Sequence, residues 1–416
     1  MKLRISLLAL ACAGLFACGK TEAPKETAAT PADSTPAPAA APAEEAKVLN
    51  VLNWSDYIAE DTIANFEKET GIKVTYDVFD SNEVLEAKLM TGKSGYDVVV
   101  PSLTFLARQI QAGVFMPLDK SKLPNLSNMD PQIQALIAQN DKDNTYSANY
   151  LWGTTGIAYN EDKLKERFGD NAPIDDWKMI FEPENIAKMT DCGVYILDTP
   201  SEILPIALLY LGEEPNSFDP AVIQKGVDLM LKIRPHVTQF HSSQVVDALA
   251  NGDACLAIAW SGDVLQAAAR ADEAGKGVKV GYSIPKQGAP VWFDMMAIPK
   301  DANHPNNAHV FINYMMKADV MANIQNYVAY ASGNAAAKAL VKPEIVNDHR
   351  IYPTPEVQAT LFSLAVIPPE VDRIFNRAWT TIKTGQSSFL RTLAISWDRI
   401  WPCLTNSRTT PTATIS

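Results

Sequence analysis

Three clusters of acidic and aromatic residues combine the two kinds of group that bind organic cations. They lie at 54–57 (WSDY), 260–263 (WSGD) and 292–294 (WFD). Indole and phenol faces attract cations, and carboxylates form charge-assisted hydrogen bonds with ammonium groups. Because the clusters are far apart in sequence but similarly placed relative to apolar runs, they predict one buried pocket for a small organic cation.

The segment around the first cluster alternates between strand and helix patterns. Apolar content predicts strands at 48–52, 72–76 and 96–100, and a helix at 61–69 that Gly71 would end. A second helix would lie between the last two strands. This β-α-β-α-β order predicts an α/β fold with a mostly parallel sheet, covered by helices on both faces.

The second helix carries a start signal of its own. Asp80 and Glu83 have the spacing of a capping box ahead of the apolar residues at 84–89. We therefore expect this helix to begin at Asp80.

Several candidate residues follow directly after predicted strands. Trp54 and Ser102 come after the first and third strands, and Glu202 and Trp260 follow two later apolar runs. In open α/β sheets, ligands bind beyond the carboxyl ends of the strands. The positions of these residues therefore support a common pocket independently of their chemistry.

Each candidate also has a structural alternative. Asp263 could cap a helix, and Glu202 could stabilise the start of the helix that follows Pro200. A single tryptophan or Tyr330 could simply pack in the core.

The first 18 residues have the pattern of a secretory signal. Lys2 and Arg4 precede an apolar run at 5–17, and Cys18 follows a small residue. A cysteine at this place resembles a bacterial lipobox, which predicts lipidation at Cys18. Lipidation at Cys12 and an unlipidated periplasmic protein are the alternatives. The run is shorter than the roughly 20 apolar residues that span a membrane.

Composition separates a tether from a folded part. Residues 19–46 are rich in Ala and Pro, which predicts a disordered tether. The remainder is long enough that two lobes are expected rather than one core. The formal net charge of −12 argues against a nucleic acid partner and is compatible with a cationic ligand.

The cysteines and histidines limit the chemistry of the folded part. Cys192 and Cys255 form an even pair in an exported chain, which predicts a disulfide, with two buried free thiols as the alternative. The histidines lack the paired spacing of a zinc motif, and the chain has no Gly-x-Ser-x-Gly nucleophile elbow. We therefore expect no metal site, no cofactor and no catalytic residue, and hence no enzyme.

A series of motifs resembles the periplasmic polyamine-binding proteins, which are the substrate-capturing subunits of putrescine/spermidine ABC transporters. The motifs occur in family order and cover about 47–386. They are 53–59 (NWSDYIA), 66–74 (FEKETGIKV), 76–83 (YDVFDSNE), 96–102 (YDVVVPS), 154–160 (TTGIAYN), 240–243 (FHSS), 251–253 (NGD) and 377–379 (RAW).

The resemblance implies a two-lobed periplasmic binding protein fold with the ligand cleft between the lobes. Lobe one would comprise about 47–150 plus 270–320, and lobe two about 151–269 plus 321–386. The implied ligand is a polyamine, and the implied partner is the membrane permease of an ABC transporter. We expect a monomer held at a membrane by its N-terminal lipid.

The family's ligand contacts are carried over to this sequence by matching motifs. Asp263 or Glu202 would take one amine and Asp294 another, while the aromatic residues would enclose the methylenes and the serines would accept or relay hydrogen bonds. The full set is Trp54, Ser55, Tyr57, Ser102, Glu202, Trp260, Asp263, Trp292, Asp294 and Tyr330.

Trp292 bears on which polyamine is preferred. Relatives that favour putrescine often have Phe at this position, whereas relatives that prefer spermidine often have Trp. The resemblance therefore favours spermidine, or both ligands. Alternatives that stay open are a polyamine sensor, a carrier of another cation or an amino acid, and a periplasmic glycoside hydrolase using paired carboxylates.

The C-terminal end departs from the family, whose members normally stop near Gln386. The remaining residues, 387–416, would be a short extra helix over 389–400, a disordered tail or a reading-frame artefact. We favour the last two.

Overall fold

A computed structural model of the chain describes residues 45–385. The predicted signal peptide with Cys18, nearly all of the tether and the tail at 387–416 lie outside the described residues. Among the described helices, none combines the length and the apolar character needed to cross a membrane.

The described residues form one eleven-stranded sheet, in which eight strands lie in a continuous order and three others pair beside them. The strands are β1 Val48–Trp54, β2 Lys73–Phe79, β3 Val98–Val99, β4 Ser147–Asn160, β5 Val194–Ile196, β6 Gln239–Phe240, β7 Leu256–Trp260, β8 Val280–Ser283, β9 Pro290–Ala297, β10 Ala331–Ser332 and β11 Phe362–Ser363.

Helices connect and cover these strands. They are α1 Thr62–Thr70, α2 Asn82–Met90, α3 Leu103–Gln111, α4 Pro131–Ile137, α5 Glu161–Phe168, α6 Lys178–Phe181, α7 Pro183–Ile186, α8 Pro200–Tyr210, α9 Pro220–Ile233, α10 Val245–Asn251, α11 Ser261–Ala274, α12 Pro305–Met315, α13 Ala318–Val328, α14 Ala335–Lys338, α15 Pro343–Val346, α16 Pro355–Gln358 and α17 Pro369–Thr384. Short 3-10 helices lie at Lys120–Lys122, Pro124–Asn128, Lys142–Asn144, Gly169–Asn171, Ala187–Cys192 and Arg234–His236.

The sheet contains two groups of three parallel strands. β1 pairs in parallel with β2 and β3, and β5 pairs in parallel with β6 and β7. The order β2-β1-β3-β9-β4-β7-β5-β6 places β9 and β4 between the groups, and these two strands are antiparallel to their neighbours. The predicted α/β fold with parallel strands is confirmed. The sheet as a whole is mixed, because β9 and β4 are antiparallel to each other and each is antiparallel to the parallel group beside it.

The long strand β4 links the two groups. Its first half pairs with β9, from Ser147 to Thr154, and its second half pairs with β7 and β8, from Thr155 to Asn160. One continuous strand therefore pairs directly with β7 of the second group and is connected to the first group through β9.

The lobe boundaries remain a prediction, and three observations bear on them. Glu83 and Arg108, which belong to predicted lobe one, contact Ser201 and Asp372 of predicted lobe two. The proposed break at residue 270 falls inside α11, which is unbroken to Ala274. Because β8 also pairs with the second half of β4, strand pairing favours keeping both elements with lobe two.

Of the two helix ends predicted from local signals, one is confirmed and the other is wrong by one residue. Gly71 ends α1 in the left-handed conformation, with φ of 73°. The predicted start of α2 at Asp80 is wrong by one residue, because the Ser81 side chain accepts the hydrogen bond from the Val84 amide. Asp80 is thereby left free to face the cavity described below.

Cys192 and Cys255 are joined by a disulfide, with their Cα atoms 5.7 Å apart. Cys192 ends a 3-10 helix just before β5, and Cys255 immediately precedes β7. Since β5 and β7 are neighbours in the sheet, the bond ties together the starts of two paired strands.

Candidate functional site

All of the sequence-predicted ligand residues line one cavity. The cavity has about 460 Å³ of space not filled by protein atoms, part of it open to solvent. The residues brought together are Trp54, Ser55, Tyr57, Ser102, Glu202, Trp260, Asp263, Trp292, Asp294 and Tyr330.

Strand ends deliver most of these side chains. Trp54 is the last residue of β1 and Trp260 the last of β7, while Ser102 follows β3 directly before α3. Glu202 lies in the first turn of α8, shortly after β5. The expected placement beyond the carboxyl ends of parallel strands is confirmed for this set.

Asp294 is fully enclosed and is held by neutral donors. The Tyr57 hydroxyl donates to its Oδ2 at 2.8 Å, and the Ser102 hydroxyl donates to its Oδ1 at 2.6 Å. Asn82 fixes Ser102 through two hydrogen bonds, and Tyr150 donates to the Tyr57 carbonyl at 2.6 Å. The carboxylate is therefore aimed by a supporting layer that sequence analysis did not identify.

Glu202 is bound by a hydroxyl and an indole. Thr155 Oγ1 donates to Glu202 Oε2 at 2.6 Å, and Trp260 Nε1 lies 3.2 Å from the same oxygen. Glu202 lies in the first turn of α8, where an acid can stabilise the start of a helix. Its side chain is also buried in the cavity wall, and stabilising a helix start does not require such burial.

Asp263 and Tyr330 form a reciprocal pair. The Tyr330 hydroxyl donates a hydrogen bond to Asp263 Oδ1 at 2.7 Å and accepts one from the Asp263 backbone amide at 3.1 Å. Asp263 lies in the first turn of α11, but Trp260 occupies the N-cap position. The capping alternative for Asp263 is therefore wrong.

The aromatic side chains form a continuous wall of tilted and edge-to-face contacts. Ring centroids are 5.4 Å apart for Trp54 and Trp260, 6.5 Å for Trp260 and Trp292, 5.6 Å for Trp292 and Tyr330, and 5.0 Å for Tyr330 and Tyr57. Trp54 is anchored by its Nε1, which donates to the Val100 carbonyl at 2.9 Å. Such a wall can enclose methylene groups and attract a cation through ring faces.

The three buried carboxyls have no cationic partner within the described part of the chain, and none of the described residues lining the cavity is basic. Burial raises the pKa of Asp294 to about 7. Burial, and then the charge of Asp294, raise the pKa of Glu202 to about 7. Burial, and then the charge of Asp56, raise the pKa of Asp263 to about 7, although Tyr330 and Arg270 oppose the rise.

Four residues outside the expected ligand set also line the cavity, namely Asp56, Phe79, Asp80 and Ser243. Of these, only Asp56 belongs to one of the three clusters that predicted the pocket. Phe79 ends β2 and packs against Trp54 with ring centroids 4.4 Å apart. Its position at a strand end was the signal that could have identified it. Asp56, with φ of 51°, pairs with Arg270, and only the folded structure shows this partner.

No metal site is assembled in the structure between residues 45 and 385. Groups of three or more His, Cys, Asp or Glu side chains with the geometry to hold a metal ion are absent there.

Comparison with known proteins gives a consistent set of relatives. Residues 61–354 match the family described as bacterial extracellular solute-binding protein. The chain is 53% identical over 345 residues to the putrescine-binding periplasmic protein PotF of Escherichia coli (strain K12), covering 83% of this chain and 93% of that one. It is 54% identical over 346 residues to the putrescine-binding periplasmic protein SpuD of Pseudomonas aeruginosa (strain UCBPP-PA14), covering 83% and 94%.

A solved structure shows the same architecture. The spermidine/putrescine ABC transporter substrate-binding protein PotD from Streptococcus pneumoniae superposes with a TM-score of 0.65 at 28% identity. The match covers 82% of this chain and 99% of that chain.

Proposed function

The chain belongs to the family of bacterial extracellular solute-binding proteins, and on that premise we propose that it captures a polyamine in the periplasm and delivers it to the permease of an ABC transporter. The observation that carries this proposal is the set of three buried carboxyls inside an aromatic wall. Burying an ionised carboxylate without a partner is strongly unfavourable, so a bound ammonium group relieves the penalty.

The three carboxyls are held by different neutral donors but line the same cavity. Tyr57 and Ser102 hold Asp294, Thr155 and Trp260 hold Glu202, and Tyr330 holds Asp263. A ligand with two ammonium groups separated by methylenes would pair its charges with these carboxyls and place its apolar part against the rings.

The same charge pattern disfavours an amino acid ligand. Lysine or arginine would bring an α-carboxylate into the cavity, where the described lining residues offer acids and neutral groups but no basic side chain. Binding of a carboxylate beside three acids would add repulsion. We therefore propose a polyamine rather than an amino acid as the physiological solute, bound without turnover.

The named relatives support the polyamine class. The two with more than half of their aligned residues identical are putrescine-binding proteins, and the solved structure is that of a spermidine/putrescine-binding protein. Trp292 by itself favours spermidine or both ligands. The two putrescine-binding relatives favour putrescine, and we propose that both bind.

Calorimetric titration tests the proposal. The C18A protein, which cannot be lipidated at that position, would be freed of bound ligand by partial unfolding and then refolded. We expect micromolar or tighter binding of putrescine and spermidine, about −8 kcal/mol or better, and much weaker binding of lysine and arginine. Absence of binding by putrescine, cadaverine, spermidine and spermine would contradict the proposal.

We also propose attachment to a membrane through Cys18 and a monomeric state. The proposal rests on the signal pattern at 1–18 and on the Ala/Pro-rich segment that would act as a spacer. Cys18→Ala should move the protein from the membrane fraction to the soluble periplasmic fraction, whereas the control Cys12→Ala should not. Size-exclusion chromatography of the soluble variant should give the mass of one chain.

A further inference from the structure

The Trp292 indole packs against a glycine of β4. Gly153 of β4 is its direct partner in the β4–β9 ladder. A Cβ atom at Gly153 would lie 2.8 Å from Trp292 Cη2 and 2.9 Å from Cζ2. The indole therefore occupies the space that a side chain at position 153 would fill.

Thr155 holds the other end of the same indole. It lies two residues after Gly153 on β4, so its side chain is on the same face of the strand. Trp292 Nε1 donates to Thr155 Oγ1 at 3.2 Å, and the same hydroxyl donates to Glu202 Oε2 at 2.6 Å. The hydroxyl thus uses its lone pair for the indole and its proton for the carboxylate.

Strand register explains why one residue can reach both partners. β4 lies between β9, which carries Trp292, and β7, where Trp260 is the direct partner of Thr155. Trp260 also donates to Glu202. Thr155 therefore stands at the centre of a hydrogen-bonded unit of two indoles and one carboxylate, and its side chain is completely enclosed.

Trp292 also lines two cavities that share part of their walls. A second cavity shares Ser102, Glu202 and Trp292 with the first and continues to Thr104, Asn140 and Leu364. Among the described residues, Glu202 is the only acid lining this second cavity. Because the indole belongs to the lining of both cavities, a change in its orientation would alter how far a ligand in the main cavity can extend.

We propose that Thr155 is a positioning residue that sets ligand selectivity, because its hydroxyl locks the Trp292 indole and the Glu202 carboxylate into one unit and keeps Trp292 as a fixed wall between the two cavities. This inference rests on the proposed function. Thr155 need not touch the ligand, since its effect passes through Trp292 and Glu202. When both hydrogen bonds of Thr155 are formed, the fixed indole keeps a bound diamine within the main cavity.

The test compares Thr155→Val, which keeps the shape and removes the hydroxyl, with Thr155→Ser, which keeps the hydroxyl. In T155V we expect putrescine affinity to fall by about tenfold or more, because a hydrogen bond to a charged group is lost. Spermidine should be weakened less, since the freed indole opens the way to the second cavity. The ratio of the two dissociation constants should shift by about threefold or more towards spermidine, because selectivity is a difference of affinities.

A double-mutant cycle with Trp292→Phe tests whether the effect of Thr155 on selectivity passes through Trp292. Phe has no N–H group, so T155V in the W292F background should leave the selectivity ratio unchanged and lower affinity only through Glu202. A second readout is pH, because the Thr155 hydroxyl holds down the pKa of Glu202. T155V should therefore move the pH midpoint of putrescine binding upward, and T155S should restore both the ratio and the midpoint.

The outcomes separate this inference from the function on which it rests. If wild-type protein binds polyamines and T155V changes neither the ratio nor the pH midpoint, the positioning role is overturned while the function stands. An equal ratio shift in the W292F background would also overturn it. If wild-type protein binds no polyamine, the proposed function itself fails.

Discussion

Gly262 forms the surface on which the Tyr330 ring lies. A Cβ atom at Gly262 would come within 2.3 Å of Tyr330 Cδ2 and Cε2, a distance that no side chain can occupy. This close approach brings the Tyr330 hydroxyl to Asp263, one residue further along α11. The glycine therefore helps to position a carboxyl of the site without lining the cavity itself.

Gly262→Ala should displace Tyr330 and weaken polyamine binding by about tenfold or more, because Asp263 loses an aimed hydrogen bond. Calorimetric titration would measure the effect. Gly226→Ala in α9 is a suitable control, since its Cβ would meet the flexible end of Leu208 at 3.2 Å. An unchanged affinity in G262A would show that Tyr330 does not orient Asp263.

Asp294→Ala should weaken putrescine binding sharply. Removing one partner of a buried charge pair costs about 2–5 kcal/mol, which is a loss of roughly 30-fold or more. The matched control is Asp228→Ala, which removes an exposed carboxylate on α9. A change of less than about twofold in D294A would remove Asp294 from the ligand contacts.

Polyamine affinity should fall as the pH decreases through about 7. The carboxyls of Asp294, Glu202 and Asp263 each have a pKa raised to about 7, and they must be ionised to bind ammonium groups. Each carboxyl that loses its proton on binding contributes about a tenfold loss of affinity between pH 8 and pH 6. Titrations in buffers of different ionisation enthalpy should also detect proton release at pH 6, and equal affinity at the two pH values would contradict the charge assignment.

The ligand-free protein should become less stable as the pH rises from about 5 to 8. In this window the folded state, with carboxyl pKa values of about 7, binds more protons than the unfolded chain, whose acids are already ionised. The free energy of unfolding therefore decreases with pH. Asp294→Asn should flatten the dependence by about 1 kcal/mol or more, as measured by urea unfolding, and saturating putrescine should remove most of it.

Loss of the disulfide should destabilise the fold without altering selectivity. Cys192 and Cys255 are separated by 63 residues in sequence, which corresponds to about 4 kcal/mol in the loop-closure treatment. Urea unfolding of the double variant Cys192→Ser, Cys255→Ser would measure the loss, and reductant should affect the wild-type protein but not this variant. Equal stability of the wild-type protein with and without reductant would mean that the bond does not contribute.

Sequence patterns predicted the parallel strands and the position of the site because both depend on short segments. An apolar run followed by Trp54 or Trp260 encodes a strand and the residue at its end in the same few positions. The helix stop at Gly71 is equally local, since only the backbone conformation of one residue is involved. Where two capping residues competed, at Asp80 and Ser81, the local signal was one residue in error.

By itself, the sequence determined the α/β class and the chemistry of an acidic, aromatic site. Both depend on the residue types and on the spacing of apolar residues within single segments. The tertiary structure alone decided which side chains support that site. Thr155 reaches Trp292 because β4 and β9 are neighbours in the sheet, and it reaches Glu202 because the start of α8 lies close to β4. Gly153 and Gly262 matter because rings from distant segments lie on them. These relationships depend on register and close approach between segments far apart in the chain, and no local pattern encodes such distances.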